Sequence, residues 1–177
     1  MRRAALVMIL ASLAVPAQAD DAKATALAGL DIAEPLICLK PRSPPSKDVP
    51  APKLVSTYPA KGEVVRPGLL VIRLSFDLPM TCNASLGTEL MVSDPCATAG
   101  REVWHLSYDR KNFRVLCKVK AGKRYSFWIN RHALDDFRGL SGHKPNDYEL
   151  AFSVSEGPPV ATVPEAVALD PRYAPKP

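Results

Sequence analysis

The chain has 177 residues, of which 47% are hydrophobic, and a formal net charge of +5 at pH 7. The length and composition are those of one folded domain with additional flanking segments. The small net charge argues against a nucleic-acid-binding protein, and the longest apolar stretch is too short for a transmembrane helix.

Residues 1–19 have the three parts of an export signal. Arg2 and Arg3 form a basic leader, residues 4–15 are apolar apart from one serine, and residues 17–19 have the small-x-small pattern of a signal-peptidase site. The apolar stretch is shorter than the roughly 20 residues that a membrane-spanning helix needs. We therefore predict a mature chain that begins at Asp20, is periplasmic or secreted, and has no transmembrane segment.

The cysteines are expected to form two disulfides, because an exported chain enters an oxidising compartment. They are Cys38, Cys82, Cys96 and Cys117, and no pair has the close spacing of zinc or redox sites. Three pairings are possible. We favour Cys82 with Cys96, which closes a local loop of roughly 15 residues, a size for which the chain-entropy model gives about 3 kcal/mol. Cys38 would then pair with Cys117 and fasten the N-terminal segment to the folded body.

Proline positions separate one folded domain from two flanking segments. Of the 18 prolines, seven fall between Pro35 and Pro59, six between Pro158 and Pro177, and four between residues 60 and 157. A proline-rich chain cannot donate a regular ladder of backbone hydrogen bonds. We interpret residues 20–52 as a Pro-rich linker, residues 53–156 as the domain, and residues 157–177 as a disordered tail.

Apolar and polar residues alternate within residues 53–156, which is typical of β-strands with one buried face. In residues 70–76 the even-numbered positions are apolar, whereas Arg73 and Ser75 lie on the opposite face. Residues 113–119, 124–130 and 148–154 have the same alternation, and weaker strands are predicted at residues 54–58, 86–92 and 103–108. About seven short strands with one apolar face each predict an all-β fold, an antiparallel β-sandwich.

Two ordered groups of residues carry a family resemblance. The opening group is LVSTYPAKG at residues 54–62 and FDLPM at residues 76–80, and the closing group is GKRYSF at 122–127, DFRG at 136–139 and the strand at 148–152. Together they resemble bacterial Ig-like domains of the SbsA type over about residues 53–156. The resemblance implies an Ig-like sandwich that serves as a non-catalytic module in a cell-surface or envelope protein. The cysteine-bounded stretch at residues 82–96, and Leu140 where an Asn often follows the Gly, depart from the family pattern.

The same opening also resembles periplasmic copper-resistance carriers, which are built on a similar sandwich. Those proteins bind copper through a histidine at the mature N-terminus and an Asp-Gly-His stretch near the end. This chain has Asp20 at its predicted mature terminus and Ser-Gly-His at residues 141–143, so most of those ligands are missing. His105, His132 and His143 remain as weak candidate metal ligands. Copper binding or transport is therefore the alternative function, and no cofactor is expected.

Two surface features are candidates for binding a partner. If Arg114, Lys118 and Arg124 share an outward face, they would attract an anionic polymer such as an envelope polysaccharide or phospholipid headgroups, although outward strand positions are usually charged and solvated. Trp128 alternates with the apolar residues of its strand and is predicted to lie on the outer face, which is uncommon without a partner. Alternatively, the N-terminal segment tethered at Cys38 covers it.

The sequence lacks the common local motifs of catalytic sites. There is no Gly-x-Ser-x-Gly elbow and no His-Glu-x-x-His pair, and disulfide-bonded cysteines offer no free nucleophile. We therefore expect a non-enzyme, an exported Ig-like module of the cell envelope that binds a protein or polymer partner or acts as a spacer. Removal of Arg2 and Arg3 with the signal lowers the net charge from +5 to +3, so the mature chain is only mildly basic. Nucleic acid is not an expected partner of an exported chain with so few exposed aromatic residues.

Overall fold

Two four-stranded sheets form the body of the protein. The computed structural model describes residues 38–82, 87–88, 96, 105–131 and 137–173. Sheet 1 has the strand order β1-β3-β6-β5, and sheet 2 has the order β2-β8-β7-β4. The strands are β1 (Leu54–Tyr58), β2 (Val64–Val65), β3 (Gly68–Phe76), β4 (Gly87–Thr88), β5 (His105–Leu106), β6 (Asn112–Val119), β7 (Arg124–Ile129) and β8 (Tyr148–Val154). The predicted all-β sandwich is confirmed.

The strand order is that of an immunoglobulin sandwich, whose two sheets have the orders A-B-E-D and G-F-C. The strands β1, β3, β6 and β5 take the places of A, B, E and D, whereas β8, β7 and β4 take those of G, F and C. The extra strand β2 pairs in parallel with β8, so the first strand crosses from one sheet to the other. If β1 and β2 are counted as one strand, the described part of the sandwich has seven strands, as predicted. The pairing of β2 with β8 is parallel and not antiparallel.

A tyrosine at the turn between β6 and β7 also matches this architecture. The backbone N–H of Lys120 donates a hydrogen bond to Oη of Tyr125, over 2.9 Å. Immunoglobulin sandwiches have a tyrosine near the start of strand F whose hydroxyl bonds to the backbone a few residues upstream. Tyr125 holds that position near the start of β7.

The core lies between the sheets, as the alternation predicts. The apolar side chains of β3 at positions 70, 72, 74 and 76 are each at most 2% exposed. Aromatic rings fill the centre, where Phe113 and Phe137 meet edge to face with centroids 5.2 Å apart. Edge-to-face contacts of this kind stabilise a core beyond the area that they bury.

The disulfide pairing predicted from loop length is wrong, although all four cysteines are paired. The bonds are Cys38–Cys82 and Cys96–Cys117. Cys117 is an inward position of β6 and is fully buried, and Cys96 is buried beside it in the same core cluster. Loop entropy describes only the unfolded chain. The face that each cysteine occupies in the folded sandwich decides the pairing instead.

The interpretation of residues 20–52 as a linker is wrong for residues 38–52, which bind the body. The N–H of Arg42 donates to the carbonyl of Leu140 (3.1 Å), and the N–H of Ser46 donates to that of Ser141 (2.9 Å). Gly142 has a φ of +91°, and a Cβ there would overlap the carbonyl of Arg42. The N-terminal segment is thus fastened by hydrogen bonds as well as by the Cys38–Cys82 disulfide. The predicted signal at residues 1–19 and residues 20–37 lie outside the described residues.

The prediction of a disordered tail is wrong for residues 157–173, which we name the C-terminal arm. The arm contains the helix α1 (Val163–Ala168), whose N-cap Thr162 accepts a hydrogen bond from the N–H of Glu165. Val160 and Ala166 pack against Val71 of β3 in a small second cluster. Composition misses this order because the arm is held largely by polar contacts with distant residues. Among the described residues, no helix is long and apolar enough to cross a membrane.

Candidate binding surface

The outer sides of the two sheets have different surroundings. On sheet 1 the C-terminal arm packs across β3 and β6, and we call this side the covered face. On sheet 2 the side chains of β7 and β8 that point away from the core form the open face, across which no described element packs. Its members are paired across the two strands as Arg124 with Ser153, Ser126 with Ala151, and Trp128 with Glu149.

The covered face is built around a buried ion pair. Arg73 of β3 is 6% exposed, and Asp170 of the arm is completely buried. The guanidinium binds both carboxylate oxygens, with Nε to Oδ2 at 2.6 Å and Nη2 to Oδ1 at 3.1 Å. Two charges that are removed from water need this bidentate geometry, because the attraction otherwise fails to offset the loss of hydration.

Polar side chains extend this ion pair across the sheet. Nη1 of Arg73 donates to Oγ of Ser75 (2.6 Å), which donates in turn to Oδ1 of Asn112 (2.7 Å). The same oxygen of Asn112 accepts a hydrogen bond from Nη1 of Arg172 in the arm (2.7 Å). Arm and sheet therefore share one hydrogen-bonded network, in which Arg73 and Asn112 are the central residues of the sheet.

Burial raises the pKa of two tyrosines, Tyr58 in the main core cluster and Tyr173 in the arm. Tyr58 pairs with Arg73 in the sheet register and is 5% exposed. Burial raises the pKa of its phenol to about 12, and the carboxylates of Glu63 and Asp170 contribute in the same direction. Burial also raises the pKa of Tyr173 in the arm, whose ring lies 4.6 Å from the guanidinium carbon of Arg114. Burial disfavours the charged phenolate in both cases, although Tyr173 is only half-buried.

On the open face a bridged carboxylate lies at the centre. The hydroxyl of Ser126 donates to Oε1 of Glu149 (2.8 Å), and Nζ of Lys61 contacts Oε2 (3.2 Å). The hydrogen bond from Ser126, followed by that from Lys61, holds the pKa of Glu149 below its ordinary value. The side chain of Glu149 is 33% exposed, so these contacts are open to solvent and to a partner.

Trp128 occupies one end of the open face and is half-buried. The guanidinium carbon of Arg131 lies 4.0 Å from the centre of the indole ring, a cation–π contact. The indole Nε1–H is buried and has no hydrogen-bond partner among the described residues. An indole N–H usually finds an acceptor when it is buried. The accessible part of Trp128, rather than this N–H, is therefore the candidate contact for a partner.

The basic cluster predicted from the sequence does not form a common surface. Arg114 is 2% exposed and lies beneath the arm on sheet 1. Lys118 is an exposed position of β6 in the same sheet, whereas Arg124 is exposed on β7 in sheet 2. Consecutive strands were assumed to be neighbours, but β6 and β7 belong to different sheets.

The candidate metal ligands are not gathered at one place in the described chain. His105 is half-buried on β5, opposite Arg114 in the register. His143 lies in a loop, with Nε2 2.6 Å from the carbonyl oxygen of Ser46. His132 lies outside the described residues. The described part of the chain contains no group of three His, Cys, Asp or Glu side chains that could hold a metal ion.

The sequence predicts Trp128 on the open face, with Arg131 close to it in the chain. It does not predict Lys61, Ser126 or Glu149 as part of this surface. The pairing of β7 with β8 brings Glu149 beside Trp128, and Lys61 lies 88 residues from Glu149 in the sequence. The alternation of β7 and β8 is enough to predict that Trp128 and Glu149 both point outward. No local sequence pattern predicts the contact between Lys61 and Glu149.

Comparison with known proteins adds no assignment. No protein-family model matches the sequence, and no curated protein is similar enough to be matched.

Proposed function

We propose that this protein is an exported, non-catalytic Ig-like module of the cell envelope that binds a protein or an anionic polymer through the open face of sheet 2. The signal-like residues 1–19 and the two disulfides support an extracytoplasmic location, periplasmic or secreted. The resemblance to SbsA-type Ig-like domains supports a role as an interaction module.

One observation carries the proposal, the difference between the two outer faces. The arm occupies the outer side of sheet 1, whereas the outer side of sheet 2 presents Trp128, Arg131 and Arg124 to solvent or a partner. A large aromatic ring beside an arginine is typical of the residues that dominate binding energy at protein interfaces. The cationic side chains of Lys61, Arg124 and Arg131 lie on or beside this face, which favours a partner with negative charge.

The proposal is tested with the Trp128→Ser variant in the native host. The full-length protein is crosslinked in intact cells and recovered with its partners, and purified protein is sedimented with isolated envelope polysaccharide. Loss of the indole should reduce crosslinked partner or sedimented protein by about tenfold or more, as expected for a central aromatic contact.

Tyr108→Ser is the matched control. Tyr108 is 77% exposed in the turn after β5, outside the open face, so its loss removes an exposed ring of similar size. This variant should retain wild-type binding, and circular dichroism should show that both variants are folded. Equal partner recovery from wild type and Trp128→Ser would remove the binding role and leave a spacer.

A further inference from the structure

The outer side of sheet 1 has the composition of a binding site rather than of a solvent-exposed sheet. Arg73 and Arg114 stand directly opposite each other on β3 and β6. Like charges at such positions repel each other unless a partner compensates them. Beside them lie Leu69, Val71 and Leu116, which form an apolar strip. The face therefore combines cations with apolar side chains, a combination that suits an acidic, amphipathic peptide.

The C-terminal arm supplies that peptide in a recognisable pattern. Its Asp170 neutralises Arg73, its Tyr173 ring lies over Arg114, and Val160 and Ala166 cover the apolar strip. At the edge of the face, Arg66 binds Oε1 of Glu165 (2.8 Å) and the carbonyl oxygen of Pro158. These contacts are made by side chains and one backbone carbonyl of a 17-residue segment, so the same segment of another molecule can make them equally well.

The connection between body and arm permits such an exchange. β8 ends at Val154, and Val160 is the first arm residue that bonds to β3, through the N–H of Leu69. Residues 155–159, which include the first three residues of the arm, form the hinge between them. The hinge is itself bonded to the body, because the N–H of Ser155 donates to the carbonyl of Val65 and the carbonyl of Pro158 accepts from Arg66, so exchange must break the Pro158 bond and remake it in the partner. When extended, five residues span up to roughly 17 Å. Two hinge residues directly precede a proline, and this position is biased towards extended backbone.

The arm folds only where it docks. α1 has six residues, which is too few for a helix that is stable by itself in water. A released arm is therefore an unfolded peptide, and it regains its structure by docking on any unoccupied covered face. The short hinge gives docking within one chain an effective concentration in the millimolar range, so exchange between chains needs high local concentration or reciprocal docking.

We infer that the outer side of sheet 1 is a peptide-binding site that the arm of the same chain fills, and that the arm of a second copy fills it in an exchanged dimer. Reciprocal exchange remakes each arm contact across the dimer, so it needs no new complementary surface. This inference is independent of the partner proposed for the open face, because it concerns the opposite sheet.

Complementary charge reversals test the inference in the full-length chain. Arg73→Asp reverses the receptor charge, and Asp170→Arg reverses the arm charge, so each variant alone contains a repelling pair. In a reciprocal dimer of the two variants, one site pairs Asp at 73 with Arg at 170, and the other restores Arg73 with Asp170. Light scattering after size-exclusion chromatography should detect more than about tenfold more dimer in the mixture than in either variant alone.

The chain that carries both reversals is the matched control, because its ion pair is restored within one molecule. It should stay monomeric at the concentration at which the mixture dimerises. A mixture that stays monomeric, although circular dichroism shows both variants folded, overturns the inference.

A wild-type experiment keeps the inference testable if a reversed variant does not fold. Two wild-type preparations, each labelled with a different fluorophore on the C-terminal residue, are mixed at millimolar concentration and diluted. Energy transfer that persists after dilution and disappears with excess unlabelled protein supports exchange. Complete absence of transfer at the millimolar step overturns it.

Discussion

The two outer faces of the sandwich contain similar residues but have opposite environments. Arg73 on the covered face is 6% exposed and bound to Asp170, whereas Arg124 on the open face is exposed. Ser75 lies buried in a chain of hydrogen bonds, whereas Ser126 contacts a carboxylate that is partly exposed. Alternation alone thus assigns both arginines to an outer face without distinguishing them.

The burial of Arg73 is caused by the C-terminal arm, a segment that is distant in sequence. Asp170 lies 97 residues from Arg73, and its arrival converts an outward strand position into a buried charge. The two outer faces are therefore occupied by different groups. One holds the C-terminal arm through charge, and on the other Trp128 lies half-buried beside Arg131 while Ser126 and Lys61 bridge the carboxylate of Glu149.

Removal of the Asp170 charge is expected to destabilise the covered face more than any other change considered below. In Asp170→Asn the shape is kept, but Arg73 retains a buried charge without its counter-ion. The free energy of unfolding should fall by about 3 kcal/mol, as for a broken buried ion pair. Urea denaturation measures the loss, and hydrogen exchange at the amides of Ala166 and Leu169 should increase because the arm opens.

Glu165→Gln is the control on the same arm. Its partner Arg66 and Glu165 itself are each 37% exposed, so water replaces the lost charge. The expected loss is below about 1 kcal/mol. Equal losses in the two variants would contradict the assignment of the covered face as a buried ionic site.

The sandwich itself could be predicted because period-two alternation is a local property. β1 and β8 begin and end where the apolar pattern places them, and the inward residues of β3 form the core. The tail could not be predicted, since its few large apolar residues suggest disorder unless Arg66 and Arg73 are known to meet it. The composition of a segment indicates how much apolar surface it can bury. It contains no information about charged residues elsewhere in the fold with which the segment pairs.

The candidate site was predictable only in part, for a similar reason. Trp128 was placed on the outer side of β7 from alternation, and the structure has it half-buried there beside Arg131. The supposed cluster of Arg114 with Arg124 failed, because the chain changes sheets between β6 and β7. Membership of a sheet depends on pairing between distant strands, which the local pattern does not contain.

The Gly68→Ala substitution tests the docking of the arm without altering any charge. Gly68 at the start of β3 has a φ of +97°, and a Cβ there would overlap the backbone of Val160. Gly68→Ala should cost about 2–3 kcal/mol, from backbone strain together with displacement of the arm. Chemical denaturation measures the cost, and faster hydrogen exchange should be confined to the arm at low denaturant.

Gly62→Ala separates strain from displacement. Gly62 has a similar φ of +85°, but a Cβ there would meet nothing within 4 Å. Its cost should be about 1–2 kcal/mol, with arm exchange unchanged. Faster arm exchange in both variants would mean that backbone strain, and not the close approach of Val160, controls docking.

A smaller pH dependence is expected from Tyr58, whose side chain lies in the main core cluster near the carboxylates of Glu63 and Asp170. Tyr58 has its pKa raised to about 12, above the ordinary value of 10 in the unfolded chain. The folded state therefore keeps the phenol proton between pH 10 and 12, and the stability due to that proton is complete below pH 10 and is lost as the pH rises to 12. Wild type should lose about 1 kcal/mol more than Tyr58→Phe at pH 11, measured by urea denaturation. Asp170→Asn should lower the pKa of Tyr58, seen as phenolate absorbance that develops at lower pH, because one of the two carboxylates that raise it is gone. Identical pH profiles for wild type and Tyr58→Phe would mean that water reaches Tyr58 in the folded protein.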